Sequence, residues 1–284
     1  MKLFNKNYTT KEVFKNIKYL DPECLPRKFH YRDNELETIA VNMSPIFYGS
    51  VPIHTVIIGG NATGKTTAIK KLFNDIQEPL PEVIPVYINC RKHYTEYSVY
   101  KEIYNKVMNK KAPIRGSNSQ KIFTDVMKKL EITRNPVLIA LDDANYLLGS
   151  DNVASPHSQN IIRNLTRANE SYSVVIGIYP IITSSKFKYK FDRDVSTLFY
   201  PREVHFHNYT SEEYFNIIKE RCDYVFYEKI DDDIIKQIVQ VVERDNNIRE
   251  AWDILKRMGL AMMNTEKSQE DILHDILLHD ILKR

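Results

Sequence analysis

The chain has 284 residues, a formal net charge of +3, and 43% hydrophobic and 27% charged residues. That is the composition of a globular protein with material for about two domains and a sizeable core. No stretch approaches the roughly 18 consecutive apolar residues of a membrane span, and the N-terminal MKLFNKNYTTKEVFKNIKYL lacks an apolar segment followed by a small-residue cleavage site, so neither membrane insertion nor secretion is expected. Cys24, Cys90 and Cys222 are odd in number and without CxxC spacing, which reads as reduced thiols in the cytoplasm rather than disulfides or zinc ligands. Charge so close to balance is no signature of a dedicated nucleic-acid binder.

Residues 1–52 read as a helical lead-in packing on the core that follows, broken by Pro22, Pro26, Pro45 and Pro52. Strand and helix signals then alternate. A strand at 53–58 passes through a loop to a helix at 65–76. A strand at 84–90 is followed by helices at about 96–109 and 118–131, and a strand at 137–142 by a helix near 157–170. Strands at 173–178 and 204–206 complete the set. Near-continuous apolar strands alternating with helices predict an α/β fold over 53–207, a central parallel sheet covered on both faces. After 207 the strands stop. Thr210-Ser211-Glu212-Glu213 is a capping-box start for a helix at 211–226. Helices near 231–244 and 247–263 make 208–264 a small helical lid. The tail at 265–284 places Ile272, Leu273, Ile276, Leu277 and Ile281 near helical spacing, which favours a docked terminal helix over a self-association helix.

The chemistry begins at Gly59-Gly60-Asn61-Ala62-Thr63-Gly64-Lys65-Thr66, which fits GxxxxGK[ST] in full between a strand and an amphipathic helix. In that setting glycines let backbone N–H groups wrap phosphates, and the helix N-terminus through Thr67 offers unpaired donors and the positive end of its dipole. Lys65 would reach the β- and γ-phosphates, and the Thr66 hydroxyl would hold Mg²⁺. The expected cofactors are ATP or ADP with Mg²⁺. Downstream, Val137-Leu138-Ile139-Ala140-Leu141-Asp142-Asp143 has the Walker B form. A buried strand delivers Asp142 beside the loop to hold Mg²⁺ indirectly, and Asp143 follows as the acid that acts on the attacking water. The second acid is usually Glu. Asp143 is one methylene shorter, so hydrolysis is expected to be slow.

With loop, acids and lid assembled, the chain resembles the AAA+ ATPases of archaeal replication initiation, which are similar to both the eukaryotic origin-recognition complex and its cell-division-control loader partner. The likeness runs from about 10 to 263. It is carried by Leu20-Asp21-Pro22-Glu23 to Leu25-Pro26, Tyr31-Arg32-Asp33-Asn34-Glu35-Leu36, Ser44-Pro45 to Gly49 and Pro52, and Val86-Tyr87-Ile88-Asn89-Cys90-Arg91. Asn164 to Asn169 with Ser173 to Ile178, and Tyr209-Thr210 to Ile218-Lys219-Glu220-Arg221, extend it. The resemblance implies that the stretch containing Arg32 packs near the adenine. It also implies that Arg249, in Asn247-Ile248-Arg249-Glu250-Ala251-Trp252, is a sensor arginine. An Arg in the first turn of a lid helix would pair with the γ-phosphate and report lid closure.

The family's pattern is departed from in three places. Its polar sensor residue after the fourth strand falls at Tyr179-Pro180. Its arginine finger falls at Asp194, with Arg193 one residue away. The family's C-terminal winged-helix domain is not expected in the twenty or so residues after the lid. Two basic patches stand out, Lys106 with Lys110-Lys111 and the stretch 186–193 (KFKYKFDR); the second, which interleaves charge with aromatics, reads either as a DNA-phosphate contact or as a solvated basic loop. His205 and His207 alternate on a strand without a third ligand nearby. The resemblance therefore implies a replication-initiation ATPase of the origin-recognition or helicase-loading type. ATP would act as a conformational switch, and the partners would be origin-like double-stranded DNA and related AAA+ initiator or helicase subunits. The alternatives are a nucleotide-binding regulatory or assembly subunit with little hydrolysis, and a mobile-element or defence ATPase.

Overall fold

The computed structural model describes residues 12–113, 118–148, 156–183 and 193–281. Two compact units form by contact. One comprises Arg32–Gly60 and Gly64–His207; the other takes the described residues up to Tyr31, Asn61–Thr63, and the chain from Asn208 onward.

The first unit is α/β. Its strands are β1 (Thr55–Gly59), β2 (Ile84–Asn89), β3 (Val137–Asp142), β4 (Ile176–Ile182) and β5 (Arg202–Phe206), in the order β2-β3-β4-β1-β5. Every pairing is parallel. β1, β3 and β4 are buried throughout, whereas β5 at the edge alternates. This is why the central strands read as unbroken apolar runs. The helices are α1 (Asp33–Met43), α2 (Lys65–Ile76), α3 (Glu96–Val107), α4 (Ser119–Thr133), α5 (Asn145–Leu148), α6 (Pro156–Thr166), α7 (Ala168–Ser171) and α8 (Arg193–Leu198). α3 begins at a reciprocal capping box between Thr95 and Ser98, and α4 at Asn118, whose side chain accepts from the Lys121 N–H. Their apolar faces, among them Tyr100, Ile103, Phe123 and Val126, join Ile139, Leu141 and Ile178 in one buried cluster. Truncating one such aliphatic residue to Ala costs about 2–5 kcal/mol, the transfer term plus the cavity.

The fourth strand differs from expectation. The sequence suggests 173–178; the strand runs Ile176–Ile182, straight through Tyr179-Pro180. A proline removes one ladder hydrogen bond and is normally kept out of central strands. Here β4 pairs with β3 up to Leu141↔Pro180 and with β1 from Ile57↔Ile181. Pro180 therefore stands where one ladder hands over to the other. Before that point β4 lacks β1 as a partner, and the Ile178 N–H instead donates to His54 Nδ1 at 3.2 Å.

The second unit contains α9 (Ser211–Val225), α10 (Asp232–Asp245), α11 (Ile248–Met262) and α12 (Gln269–Ile281). The Thr210 capping box forms, with Glu213 as its reciprocal partner. α12 docks through buried Ile272 and Leu273, and Arg257 holds Asp280 through two bonds of 2.9 and 2.7 Å. The lead-in is divided between the units. Residues 12–31, with a 3₁₀ turn at Ile17–Leu20, bury Val13 and Leu20 in the helical core. They are pinned there by Lys15 N–H to Val225 O at 2.7 Å and by Tyr227 N–H to Val13 O at 3.0 Å. α1 belongs to the α/β unit, with Ile39 fully buried. The sequence hides this division because both pieces are short and amphipathic.

Candidate nucleotide site

In an all-parallel sheet the carboxyl ends of the strands open on one edge. β1 ends at Gly59 and α2 begins at Lys65, so residues 60–64 form the connection. Gly64 has φ 95°, a left-handed value that favours glycine, and Ala62 adopts φ 55° in the same loop. No side chain caps α2, so its first-turn N–H groups, Thr66 and Thr67 among them, face the loop side unshielded by a cap. Lys65 is buried, and its ammonium donates to the carbonyls of Gly59 at 3.0 Å and Gly60 at 2.5 Å. Thr63 is buried too, while Asn61 at the tip is exposed.

Across β4, the Thr66 hydroxyl donates to Asp142 Oδ2 at 2.9 Å. The two motifs, 76 residues apart in sequence, are thus one cluster. The same carboxylate oxygen accepts the Tyr87 hydroxyl at 2.5 Å, and Oδ1 accepts the Asp143 N–H at 3.0 Å. A threonine hydroxyl beside a buried aspartate is an all-oxygen pair of the kind Mg²⁺ takes alongside phosphates. The residues present therefore fit a Mg²⁺–nucleotide. Asp143 has φ 52°, in a region that Asp enters more readily than most residues. Its neighbours fix that conformation: Cys90 N–H bonds Asp142 O and Ala144 N–H bonds Ile181 O, both at 2.8 Å. Cys90 is no nucleophile, since burial, and then the charges of Asp142 and Asp143, push its thiol far up.

The extended β4 also changes which residue follows the strand. Tyr179 and Pro180 lie inside the strand, and the first residue beyond it is Thr183. Its hydroxyl donates to Asp143 Oδ1 at 3.0 Å, and its N–H donates to Asn145 Oδ1 at 3.2 Å. Thr183 escapes a sequence reading that lets Pro180 end the strand; the apolar pair Ile181-Ile182 before a polar residue was the available signal. Arg193 is an exposed first residue of α8. The Asp194 side chain and the basic stretch 186–192 lie outside the described residues. Lys110 and Lys111 are exposed after α3, and Lys106 lies in its last turn.

Arg32 is buried. It donates to His207 O at 2.7 Å, lies 5.7 Å from the centre of the Phe206 ring, and approaches Glu35 at 3.7 Å. Arg249 is exposed in the first turn of α11, which Asn247 caps by accepting the Arg249 N–H at 3.3 Å. His205 sits 3.3 Å from Glu203 on the exposed edge. No group of three His, Cys, Asp or Glu residues suited to a metal ion occurs among the described residues.

Comparison with known proteins places this geometry. A family model described as an AAA domain matches residues 52–178. ORC1-type DNA replication protein 2 of Methanosarcina mazei is 32% identical over 273 residues, which cover 95% of this chain and 70% of that protein. The chain belongs to the ORC1-type DNA replication proteins. Another member, protein 2 of Methanothermobacter thermautotrophicus, is 32% identical over 249 residues, 87% of this chain and 64% of the relative. The chain thus spans about two thirds of the length of these ORC1-type relatives. Among solved structures, the Aeropyrum pernix ORC1 protein in complex with DNA superposes with a TM-score of 0.79 at 22% identity, over 95% of this chain and 70% of that one. The Aeropyrum pernix ORC2 protein, in ADPNP–ADP complexes, gives 0.77 at 19% identity over 94% and 73%. The fold is that of the AAA+ phosphate-loop ATPases, with a helical C-terminal region.

Proposed function

We propose that the chain binds ATP with Mg²⁺ and uses it as a conformational switch in the initiation of DNA replication, at origin-like double-stranded DNA and with related AAA+ initiator or helicase subunits. The observation that carries this reading is the Thr66–Asp142 hydrogen bond, which joins a complete phosphate loop to its acidic strand in a chain of the ORC1 type. In this reading backbone N–H groups of residues 60–67 bind the phosphates, and Lys65 leaves the loop carbonyls to meet the β- and γ-phosphates. Thr66 and Asp142 hold Mg²⁺, which when bound neutralises charge developing on the phosphates. Asp143 orients the attacking water, Thr183 holds Asp143, and Arg249 pairs with the γ-phosphate as the lid closes. Arg32 acts near the adenine. No described helix is long and apolar enough to cross a membrane, and the three free cysteines suit a reducing cytoplasm.

A second reading, a nucleotide-binding regulatory subunit with little turnover, is favoured by one observation. Asp143 is short and left-handed, and its Oδ1 already accepts from Thr183. Single-turnover hydrolysis by wild type and Asp143→Glu separates the two. Slow hydrolysis that rises in the variant supports the switch; bound nucleotide with no hydrolysis in either supports the subunit. The wider role is tested by ATP-dependent binding to origin-containing against random duplex DNA. Equal, ATP-independent binding to both, or none at low salt, would overturn it.

A further inference from the structure

Tyr87 belongs to none of the motifs that define the nucleotide site, yet its hydroxyl reaches the same carboxylate oxygen as Thr66. β2 buries Val86 and Ile88 in the core, so by strand alternation Tyr87 faces the other way. There the Lys70 ammonium of α2 lies 4.7 Å from the centre of its ring. The parallel register sets Tyr87 opposite Ala140 and Asn89 opposite Asp142. Asp142 is therefore two residues further along the neighbouring strand, about 6.6 Å, which is the reach of a tyrosyl side chain. Phenylalanine would span the distance without a donor, and serine or threonine would carry a donor that falls short.

Asp142 Oδ2 accepts from both Thr66 and Tyr87, while Oδ1 accepts the Asp143 N–H. Three donors from three separate elements leave the carboxylate one orientation. In that orientation the Thr66 proton points at Asp142, and the hydroxyl's lone pairs stay available to a cation. We infer that Tyr87 is a positioning residue for the Mg²⁺ site, holding Asp142 so that the carboxylate and the Thr66 hydroxyl present themselves together. The inference rests on the reading of Asp142 as the metal-side acid. The Lys70 ammonium over the ring is a further contact between β2 and the helix that bears Thr66.

The test uses the full chain and a fluorescent ATP analogue, titrated with Mg²⁺ after measurement of binding in chelator. Tyr87→Phe is expected to leave metal-free nucleotide affinity and melting temperature close to wild type. The Mg²⁺ concentration for the half-maximal response should rise about tenfold, the lower end of what losing an outer partner of a metal ligand costs. Asp142→Asn is the reference and should abolish the Mg²⁺ response. A normal Mg²⁺ response in Tyr87→Phe, with Asp142→Asn defective, overturns the role of Tyr87. A normal response in Asp142→Asn overturns the metal-side reading of Asp142, and the inference with it. Weakened binding of Tyr87→Phe in chelator, with an unchanged Mg²⁺ midpoint, makes Tyr87 a structural residue and also overturns the proposal.

Discussion

Gly259 lies in the last turn of α11, where helix propensity alone favours Ala by about 1 kcal/mol. The structure predicts the opposite sign for Gly259→Ala. A Cβ built there would meet the Phe14 ring at 2.2 and 2.4 Å and the Phe226 ring at 2.9 Å. Restoring an ordinary contact of about 3.7 Å requires the Phe14 ring to retreat by about 1.5 Å. Phe14 is not free to retreat. It pairs with Phe226 across an antiparallel bridge, and their ring centres are 5.3 Å apart. Overpacking of this kind costs about 1–3 kcal/mol and propensity offsets about 1 kcal/mol of it, so the net loss is up to about 2 kcal/mol. Trp252, the only tryptophan in the chain, is buried in the same unit with the Arg221 guanidinium 4.1 Å from the ring centre. Its fluorescence therefore reports melting of this unit. The expected shift is a fall in Tm of up to about 8 °C, at roughly 2–4 °C per kcal/mol for a chain of this order. Combining the change with Phe14→Ala should relieve most of the steric part, giving a coupling of about 1 kcal/mol or more. A Tm that rises in Gly259→Ala, or additive effects in the double variant, would refute the docking of residues 12–16 on α11.

Other outcomes follow from single environments. Burial lowers His54 from 6.5 to about 4, and its Nδ1 accepts the Ile178 N–H, so the folded state keeps it neutral. Because the unfolded chain binds the extra proton, stability should be fully present above pH 6.5 and fall progressively toward pH 4, by up to about 3 kcal/mol. Urea midpoints that are flat across this window, or as steep in His54→Gln as in wild type, would contradict it. The Tyr179 hydroxyl is buried without a hydrogen-bond partner among the described residues. Tyr179→Phe should therefore leave stability unchanged or raise it by about 1 kcal/mol, and a loss above about 1 kcal/mol in urea unfolding would reveal a partner. Thr183→Val should slow single-turnover hydrolysis about tenfold or more by freeing Asp143, with nucleotide affinity little changed; weakened binding with an unaltered rate would assign Thr183 to the binding site instead. Gly64→Ala, at φ 95°, should cost about 1–2 kcal/mol and weaken fluorescent-nucleotide binding; unaltered affinity would count against the loop as the phosphate cradle.

What could be read from the sequence was whatever local chemistry decides. The turn between Gly59 and Lys65, the helix at Lys65–Ile76 and the strand at Val137–Asp142 fall on the residues expected, because glycine spacing and an unbroken apolar run each fix one structure. Pro180 hides the strand, since whether a central strand carries a proline depends on where its ladders begin and end, and that is a property of the sheet. Thr183 was lost with it. The left-handed backbone at Asp143 and the reach of Tyr87 depend on neighbouring strands and their register, so no spacing along the chain announces them.

The handover at Pro180–Ile181 gives the sheet a seam. On one side β3, paired with β2, leads into Asp142 and Asp143; on the other β1, paired with β5, leads into the loop at 60–64, and β4 alone joins the two. Because proline cannot donate, one ladder hydrogen bond is missing at the join. β4 is therefore the one strand through which the acids after β3 and the loop after β1 are joined within the sheet.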